Sequence, residues 1–405
     1  MGTASSTLRR RQYILVAIGA ILVLPSLGAA TIADKLHRFI DRNGFPTAGE
    51  FPETITPIVE RLALRGIDFP VTATSAAFSY EFNFELGIPE RSSESLGPVF
   101  AERADTVGKN RVDIGFSYLY ADLTQFEGKD FADQIATSAT IPVLGVALRQ
   151  GFRAKDFSLV NHIFSLSATL GVSDRLDLNV LFPLIWTSLG LSGRSTASVI
   201  GSSSLSEQLH FDASAFGPGD LLLRAKYRFL DEPVKIASIA VLRLPTGSER
   251  DFHGIGDTTL LGGLVLSRAL RSHDLHGSVG FELNPNNPQR SRARYAVGAT
   301  MQPWERLALL ADLIGSSSLV NDEFALPAPR RASFRTLFGN NKLIESVSAT
   351  EVTAFVPRSD VVDLALGVKL NVVGTLVGFA SAIVPLTSDG LRADVIPAAG
   401  FEWSF

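Results

Sequence analysis

The sequence contains no cysteine, so disulfide bridges, thiolate zinc sites and cysteine nucleophiles are all excluded. Methionine is nearly absent, with 2 residues in the chain. Beyond the first thirty residues there is no run of eighteen apolar residues, so a second helical membrane span is not expected. The net charge of −4 disfavours a nucleic-acid partner.

The composition lies between those of soluble proteins and helical membrane proteins. Hydrophobic residues make up 46% of the chain and charged residues 19%, with 27 phenylalanines and 34 glycines. Aromatic segments that are punctuated by glycine suit strands and turns better than long helices.

The N-terminus has the pattern of an export signal. Arg9 to Arg11 are basic, residues 13–24 are apolar, and the stretch after Pro25 offers small residues for a signal peptidase. The sequence therefore predicts that residues 1–30 are a signal peptide of the Sec type. An uncleaved membrane anchor is the alternative, because the apolar segment could just span a bilayer.

Residues 31–76 have a different period from the rest of the chain. Ile32, Leu36, Phe39 and Ile40 recur at helical spacing, and residues 58–64 do so approximately. We expect a partly helical segment that is periplasmic or plugs a lumen. A loose leader with little structure is the alternative.

From residue 77 onward, apolar and polar residues alternate. The alternation is clearest in the stretches 78–88, 111–120, 220–229 and 363–371. A period of two places each apolar set on one face of a strand. A soluble sandwich with one wet face would also alternate.

Two features favour a barrel in lipid over a sandwich. The expected strands are about nine to twelve residues long, as a tilted bilayer crossing requires. Aromatic residues lie near strand ends, at Tyr118, Tyr120, Trp186 and Trp403, which suits an interfacial girdle. Because only closure leaves no unpaired backbone edge in hydrocarbon, spanning strands imply a barrel.

The expected fold is an all-β, antiparallel transmembrane β-barrel formed by residues 77–405, with a short helical N-terminal segment. We expect about twelve strands, with ten or fourteen as alternatives. Long polar connections near 188–218 and 315–359 are expected to face the outside. Further strands are expected near 158–171, 175–187, 234–245, 257–270, 275–284, 292–302, 306–314, 374–386 and 394–405.

The last residues resemble the signal that the outer-membrane barrel assembly machinery reads. Gly400, Trp403 and the terminal Phe405 have the spacing of that signal inside an alternating strand. Ala398 stands where the pattern has a polar residue, which is a minor departure.

Ordered motifs between residues 96 and 397 resemble the MetA-pathway phenol-degradation family of outer-membrane transporters. The resemblance covers most of residues 77–405, and its specificity comes from the order and spacing of the motifs. It implies an outer-membrane transport channel of a Gram-negative bacterium, distantly similar to long-chain fatty-acid and aromatic-hydrocarbon transporters. The motifs are Leu96 to Ala104, Gly108-Lys109, Phe116 to Tyr118, Asp174 to Asp177, Leu181 to Leu184, Gly217 to Asp220, Lys226-Tyr227, Arg243 to Ser248, Gly254 to Asp257, Pro385-Leu386, Gly390 to Arg392 and Pro397.

Charged residues on the face opposite the apolar stripe are the candidate site residues. Against lipid, an Arg or Lys at the midplane would cost about 2–4 kcal/mol, so these side chains should line the lumen. The alternative is that they form ion pairs that fill a narrow barrel and never contact a solute. The candidates are Glu81, Glu85, Asp113, Asp177, Arg224, Lys226, Arg228, Glu282, Arg294 and Lys369.

Other chemistry has weak support in the sequence. The Gly-x-Gly-Asp motifs that end at Asp220 and Asp257 are read as turns before strands, since a dinucleotide loop needs a third glycine and a helix. His273 and His276 share one connection but lack a convincing metal spacing. His162, beside Asn161, is the one arrangement considered for a hydrolase. We expect no enzyme activity, cofactor or metal.

The sequence therefore predicts passive passage of a small hydrophobic or aromatic solute across the outer membrane, in contact with outer-membrane lipid. The alternative function is a structural or docking barrel whose connections near 188–218 and 315–359 bind a partner. A lumen filled by ion-paired side chains would favour docking, and a continuous or gated path would favour transport.

Overall fold

The fold is a β-barrel with a small amount of helix. The computed structural model describes residues 30–42, 71–73, 80–83, 88–91, 96–143, 146–199, 204–270, 273–320, 322–326, 333–334, 342–343, 352–356 and 359–405. Within the compact unit Ile32–Phe405, helix α1 spans Ile32–Arg42 and the short helix α2 spans Phe131–Gln134. No helix in these ranges is long and apolar enough to cross a membrane.

In the described part of the chain, twelve antiparallel strands form a closed ring. The ring closes because the first wall strand, Val112–Phe126, pairs with the last, Ile396–Ser404, on one side and with the strand Val146–Ser173 on the other. Closure gives every wall strand two neighbours, which leaves no open edge. In chain order, the wall strands are β3 (Val112–Phe126), β6 (Val146–Ser173), β7 (Leu176–Val199), β9 (Leu221–Leu230), β10 (Lys235–Leu244), β11 (Thr259–Leu270), β12 (His273–Leu283), β13 (Arg292–Trp304), β14 (Leu307–Ser318), β19 (Asp360–Val373), β20 (Leu376–Pro385) and β22 (Ile396–Ser404).

The remaining described strands extend the wall or lie outside it. β4 (Lys129–Asp130) and β21 (Leu391–Ala393) pair with β3, β5 (Ala136–Val143) pairs with β6, and β8 (Ser204–Pro218) pairs with β7. Three further pairs, β1 with β2, β15 with β18 and β16 with β17, form separate two-stranded sheets. Their bounds are β1 Tyr80–Asn83, β2 Ile88–Arg91, β4 Lys129–Asp130, β5 Ala136–Val143, β8 Ser204–Pro218, β15 Asp322–Leu326, β16 Ser333–Phe334, β17 Lys342–Leu343, β18 Val352–Val356 and β21 Leu391–Ala393.

The structure confirms the expected fold class and the strand number of twelve. Each wall strand lies where alternation predicted one. The two ends of the barrel differ. At the short-turn end, two residues join β6 to β7, β13 to β14 and β19 to β20. The opposite end, here called the long-connection end, carries the longer segments.

The prediction of a barrel strand from the alternation over 78–88 was wrong. The described residues there form the hairpin of β1 and β2, with Tyr80 opposite Arg91, outside the barrel sheet. The first wall strand begins at Val112, so the expected barrel boundary at residue 77 is about one strand too early. A period of two indicates a pleated strand but does not identify its partner.

The expected polar connection 188–218 is also different in the structure. Its described residues form a long hairpin in which β7 continues to Val199 and returns as β8 from Ser204. β8 pairs with β7 from Leu184 opposite Pro218 to Ser198 opposite Ser204. The serine-rich composition indicates a loop because it lacks the apolar face of a membrane-spanning strand. A strand that lies beyond the bilayer needs no such face.

The two faces of the wall have opposite polarity. The outward side chains are mainly apolar and exposed, including Trp186, Trp304 and Trp403. Inward positions carry buried polar residues such as Asn161 and Thr187, whose side chains are joined by a 2.7 Å hydrogen bond. An apolar outside with a polar inside is the pattern of a barrel in lipid and the reverse of a soluble protein.

Substitution of Gly171 by alanine should destabilise the barrel. A Cβ atom there would lie 1.8 Å from the carbonyl oxygen of Gly108, which is backbone and cannot move aside cheaply. We expect Gly171→Ala to lower the temperature at which the barrel loses its fast-migrating folded form on a gel. Gly262→Ala is the matched control, since a Cβ there meets nothing within 4 Å. Equal melting of both variants would contradict the prediction.

Candidate functional site: the barrel lumen

A segment without regular structure lies inside the barrel. We call residues 96–107 the inner segment; it precedes β3 and is almost wholly buried. Leu96 and Ala104 are 0% exposed, and Arg103 is 2% exposed. Because buried backbone groups need hydrogen-bond partners, the barrel wall must supply what a helix or strand would have supplied.

Oxygen atoms of the wall accept backbone N–H groups of the inner segment. The Asp312 carboxylate accepts from Phe100 at 3.4 Å and from Ala101 at 3.3 Å. The Ser267 hydroxyl accepts from Ala104 at 2.7 Å. The Asp177 carboxylate accepts from Val107 at 3.1 Å, at the short-turn side of the lumen. Inward carboxylates therefore replace part of a missing β-ladder.

Cations of the wall donate to backbone carbonyl groups inside the lumen. Lys226 Nζ donates to the Arg103 carbonyl at 3.2 Å, and Lys369 Nζ donates to the Leu96 carbonyl at 3.2 Å. Lys369 also lies 3.0 Å from the Glu402 carboxylate, which compensates its buried charge. Arg224, on the same strand as Lys226, donates to the Thr72 carbonyl at 2.8 Å.

The inner segment also supplies charges of its own. Arg103 Nε lies 3.8 Å from Asp105, whose carboxylate accepts from Lys235 of β10 at 2.6 Å. The Arg103 guanidinium packs against Gly97, where a Cβ would approach it to 3.0 Å. Gly97 has a φ of +69°, which favours glycine. Charge compensation and a close backbone approach thus fix the path of the segment.

Eight of the ten candidate charges are described with their side chains. Lys226, Arg224, Lys369 and Asp177 contact lumenal backbone as given above, and the other four pair within the wall or its rim. The Asp113 carboxylate accepts from Ser404 at 2.6 Å, Arg228 lies 2.8 Å from Asp231, and Glu282 lies 2.6 Å from Arg294. All eight face inward, and their contact with a solute stays a prediction.

The remaining candidates are less fully placed. Glu81 belongs to the β1 hairpin, and Glu85 lies outside the described residues. Gly400, Trp403 and Phe405 complete the last wall strand and its end, where the Trp403 and Phe405 rings lie 4.3 Å apart. Recognition of these three residues by an assembly machinery stays a prediction.

Sequence reasoning missed a buried pair that holds the inner segment. His276 Nε2 lies 3.0 Å from Asp312, and both side chains are at most 1% exposed. Asp312 was overlooked because the inward positions before it on β14, Ala308 and Leu310, are apolar. His276 could have been found by parity, since it lies an even number of residues from Glu282 on β12.

Val71 and Phe100 both border two cavities beside the inner segment in the described part of the barrel. The smaller has a volume of about 70 Å³ and lies between β3, β6, β7 and the side chain of His253. The larger has a volume of about 160 Å³, and its wall combines apolar residues such as Ile239 and Val241 with five charged residues, Glu102, Arg224, Arg243, Glu282 and Arg294.

Helix α1 lies at the long-connection end of the lumen. Its first amide, of Ile32, donates to the Asp251 carboxylate at 2.8 Å, and Ile32 and Leu36 are buried. The Phe39 ring lies 5.2 Å from Phe211 on the inward face of β8. The helix expected over residues 32–40 is therefore present, and that expected near 58–64 lies outside the described residues.

The described residues provide no site geometry for metal binding, hydrolysis or phosphate binding. Among the described residues, no group of three or more His, Asp or Glu side chains could hold a metal ion. His162 faces outward, where Nδ1 lies 2.8 Å from the Tyr118 hydroxyl and its ring stacks on Trp186. Asp220 accepts from the amides of Gly247 and Ile255, which is a loop-ordering role.

No protein-family model matches the sequence, and no curated protein matches it. Similar solved structures include an outer-membrane channel from Pseudomonas putida F1, with 12% identity, a TM-score of 0.47 and coverage of 75% of this chain and 98% of the other. A FadL homologue from Pseudomonas aeruginosa has 9% identity, a TM-score of 0.32 and coverage of 73% and 89%. The toluene transporter TbuX from Ralstonia pickettii has 15% identity, a TM-score of 0.28 and coverage of 74% and 90%. Membership of the phenol-degradation family stays a prediction.

Removal of the Asp312 carboxylate should loosen the inner segment. Asp312→Ala leaves His276 and two backbone N–H groups without their acceptor in a buried site, which costs about 3–5 kcal/mol. Denaturant unfolding in detergent, followed by tryptophan fluorescence, measures the loss. Glu305→Ala, at an exposed turn, is the control and should stay within about 0.5 kcal/mol. A similar small change for Asp312→Ala would contradict the role.

His253 should make the long-connection end sensitive to acid. Burial lowers the pKa of His253, although the nearby Asp251 carboxylate opposes this. The neutral ring is therefore favoured by folding, and its contribution is present above about pH 6.5 and lost as the pH falls through the lowered pKa. Between about pH 8 and 5, the free energy of unfolding should fall more for the wild type than for His253→Gln. Parallel pH profiles would refute this.

Proposed function

We propose that the chain is an outer-membrane channel for passive passage of a small hydrophobic or aromatic solute. The observation that carries the proposal is the pair of cavities that Phe100 borders inside a closed barrel. The larger cavity, about 160 Å³, is comparable with an apolar cavity of about 150 Å³ that holds benzene in another protein. One aromatic ring would therefore fit beside the inner segment.

The outward face supports a location in a bilayer. Leu264, Val279 and Leu366 are among the exposed apolar side chains on three different wall strands. Such a surface is unfavourable in water, and contiguous apolar patches of this extent mark a membrane or protein contact. The same proposal includes two signals. Residues 1–30 act as a Sec signal peptide, and the C-terminal Gly400, Trp403 and Phe405 act as an assembly signal.

The inner segment is the barrier to passage in this proposal. It is held by separate hydrogen bonds from side chains such as Asp312, Lys226 and Lys369, not by a continuous ladder. Each such bond contributes only about 1–3 kcal/mol net, because water replaces it when it opens. A local shift near Phe100 would join the two cavities without opening the wall.

The docking alternative rests on the same filled lumen. Ion pairs such as Lys369 with Glu402 occupy space that a solute would need, and the long β7–β8 hairpin offers a surface for a partner. A barrel that passes no solute in liposomes, among phenols, alkanes and fatty acids, would favour docking.

An engineered crosslink tests the barrier directly. Ala104 N lies 2.7 Å from Ser267 Oγ, so Ala104→Cys with Ser267→Cys places two thiols close together in a chain that has no other cysteine. We expect oxidation to reduce solute flux into liposomes, because the inner segment can no longer leave the wall. Reduction should restore the flux.

Each single cysteine variant is the control, since neither can form the crosslink. Flux that is equal in the oxidised and reduced double variant would show that passage needs no movement of this segment. Absence of flux in the wild type would remove the transport proposal itself.

A further inference from the structure

An exposed cationic surface lies on the extension of β6, β7 and β8 beyond the barrel wall. Arg153 of β6 is directly opposite Arg194 of β7, and Gln208 of β8 is opposite Arg194 on its other side. Lys155 lies at a bulge between Ala154 and Asp156 in the same strand. Arg153, Lys155 and Arg194 are all exposed.

These three cations have no ion pair or hydrogen bond among the side chains that the structure describes. Two acids lie on the same face: Asp156 accepts from the Ser192 hydroxyl at 2.7 Å, Asp212 lies against His210, and neither forms an ion pair with the three cations in the described part of the chain. Like charges directly opposite each other destabilise a sheet. The opposed guanidinium groups of Arg153 and Arg194 therefore favour an external anion.

The cations border a concave surface of about 1080 Å³. Gln208 and His210 add hydrogen-bonding groups to it, Asp133 adds one carboxylate, and Phe152 and Leu209 also line it. The buried face of the same strands carries Phe152 and Leu209, which belong to the apolar core. By strand alternation, the cationic side chains therefore point away from the lumen.

An aromatic cluster lies on the same outward face, closer to the barrel wall. The His162 ring is 5.0 Å from Trp186 and 5.2 Å from Tyr120. Trp186 and Arg194 are eight residues apart on β7, which is about 26 Å along the strand. For a strand tilted by about 40° from the barrel axis, this separation is about 20 Å along that axis. Aromatic rings mark the membrane interface, so the cations lie outside it.

We propose that this surface binds the phosphorylated saccharide of an outer-leaflet glycolipid. The inference rests on the proposed outer-membrane location. Arg153 and Arg194 grip one phosphate through charge-assisted, bidentate hydrogen bonds, and Lys155 contributes a third charge. Trp186 and the rings around it contact the lipid at the level where its acyl chains meet its saccharide. The order of apolar, aromatic and cationic groups along β7 follows the order of parts in such a lipid.

The test compares binding of phosphorylated and enzymatically dephosphorylated bacterial glycolipid to the purified full chain in detergent. Arg153→Gln with Arg194→Gln should weaken binding of the phosphorylated form by about tenfold or more, since both charge-assisted hydrogen bonds to the phosphate are lost. Arg268→Gln is the matched control, because Arg268 is an exposed, unpaired arginine of the described wall near the short-turn end. It should bind as the wild type does. Migration on an unboiled gel confirms that each variant is folded.

Equal binding of the dephosphorylated lipid, or an unchanged affinity of the double variant, would overturn the proposal. So would tight binding of inorganic phosphate that displaces the lipid, which would indicate a site for free anions. Capture of an acidic protein in preference to the lipid would also overturn it. Because the binding assay uses purified protein, it is separate from the flux assay and from membrane fractionation. Loss of lipid binding with intact flux rejects this inference alone, and absence from the outer membrane rejects the proposed function.

Discussion

The backbone of the inner segment imposes the constraint on which the lumen depends. Residues 96–107 are buried but form no helix or strand, so their polar groups must bond to the wall. The wall charges have the converse requirement, because a buried Lys226 or Lys369 is costly unless it is bonded and compensated. Segment and wall therefore stabilise each other, and removal of either would leave the other unsatisfied.

This dependence explains why the lumen is both charged and nearly filled. A charge such as Asp177 can be buried at 1% exposure because it accepts an amide of Val107 and lies opposite Lys226 across the β7–β9 pairing. The exposed side chains on the outer face of the described wall are mainly apolar, because lipid offers a charge no such compensation. An ion-paired lumen does not exclude the proposed solute path, because the paired charges still leave the two cavities that Phe100 and Val71 border.

Much of the barrel could be predicted from the sequence because a period of two is a direct consequence of the pleat. The same reasoning placed Lys369 and Glu282 inside, since lipid excludes them. This reasoning failed where the sequence carries no period or where a period does not identify the partner strand. The inner segment has no period, and its path follows from partners such as Asp312 that are distant in sequence. The stretch 78–88 alternates but pairs within its own hairpin, which alternation alone cannot reveal.

The manner in which the inner segment is held also determines how it can move. A strand added to the wall would be released only by breaking a cooperative ladder, whereas separate side-chain contacts open one at a time. The contacts at Asp312 hold Phe100, which borders both cavities, whereas those at Asp177 and Asp174 lie near the short-turn end. The contacts at Asp312 can open while those at Asp177 and Asp174 stay in place. A plug anchored at one end and released at the other would pass a solute without ever leaving the barrel.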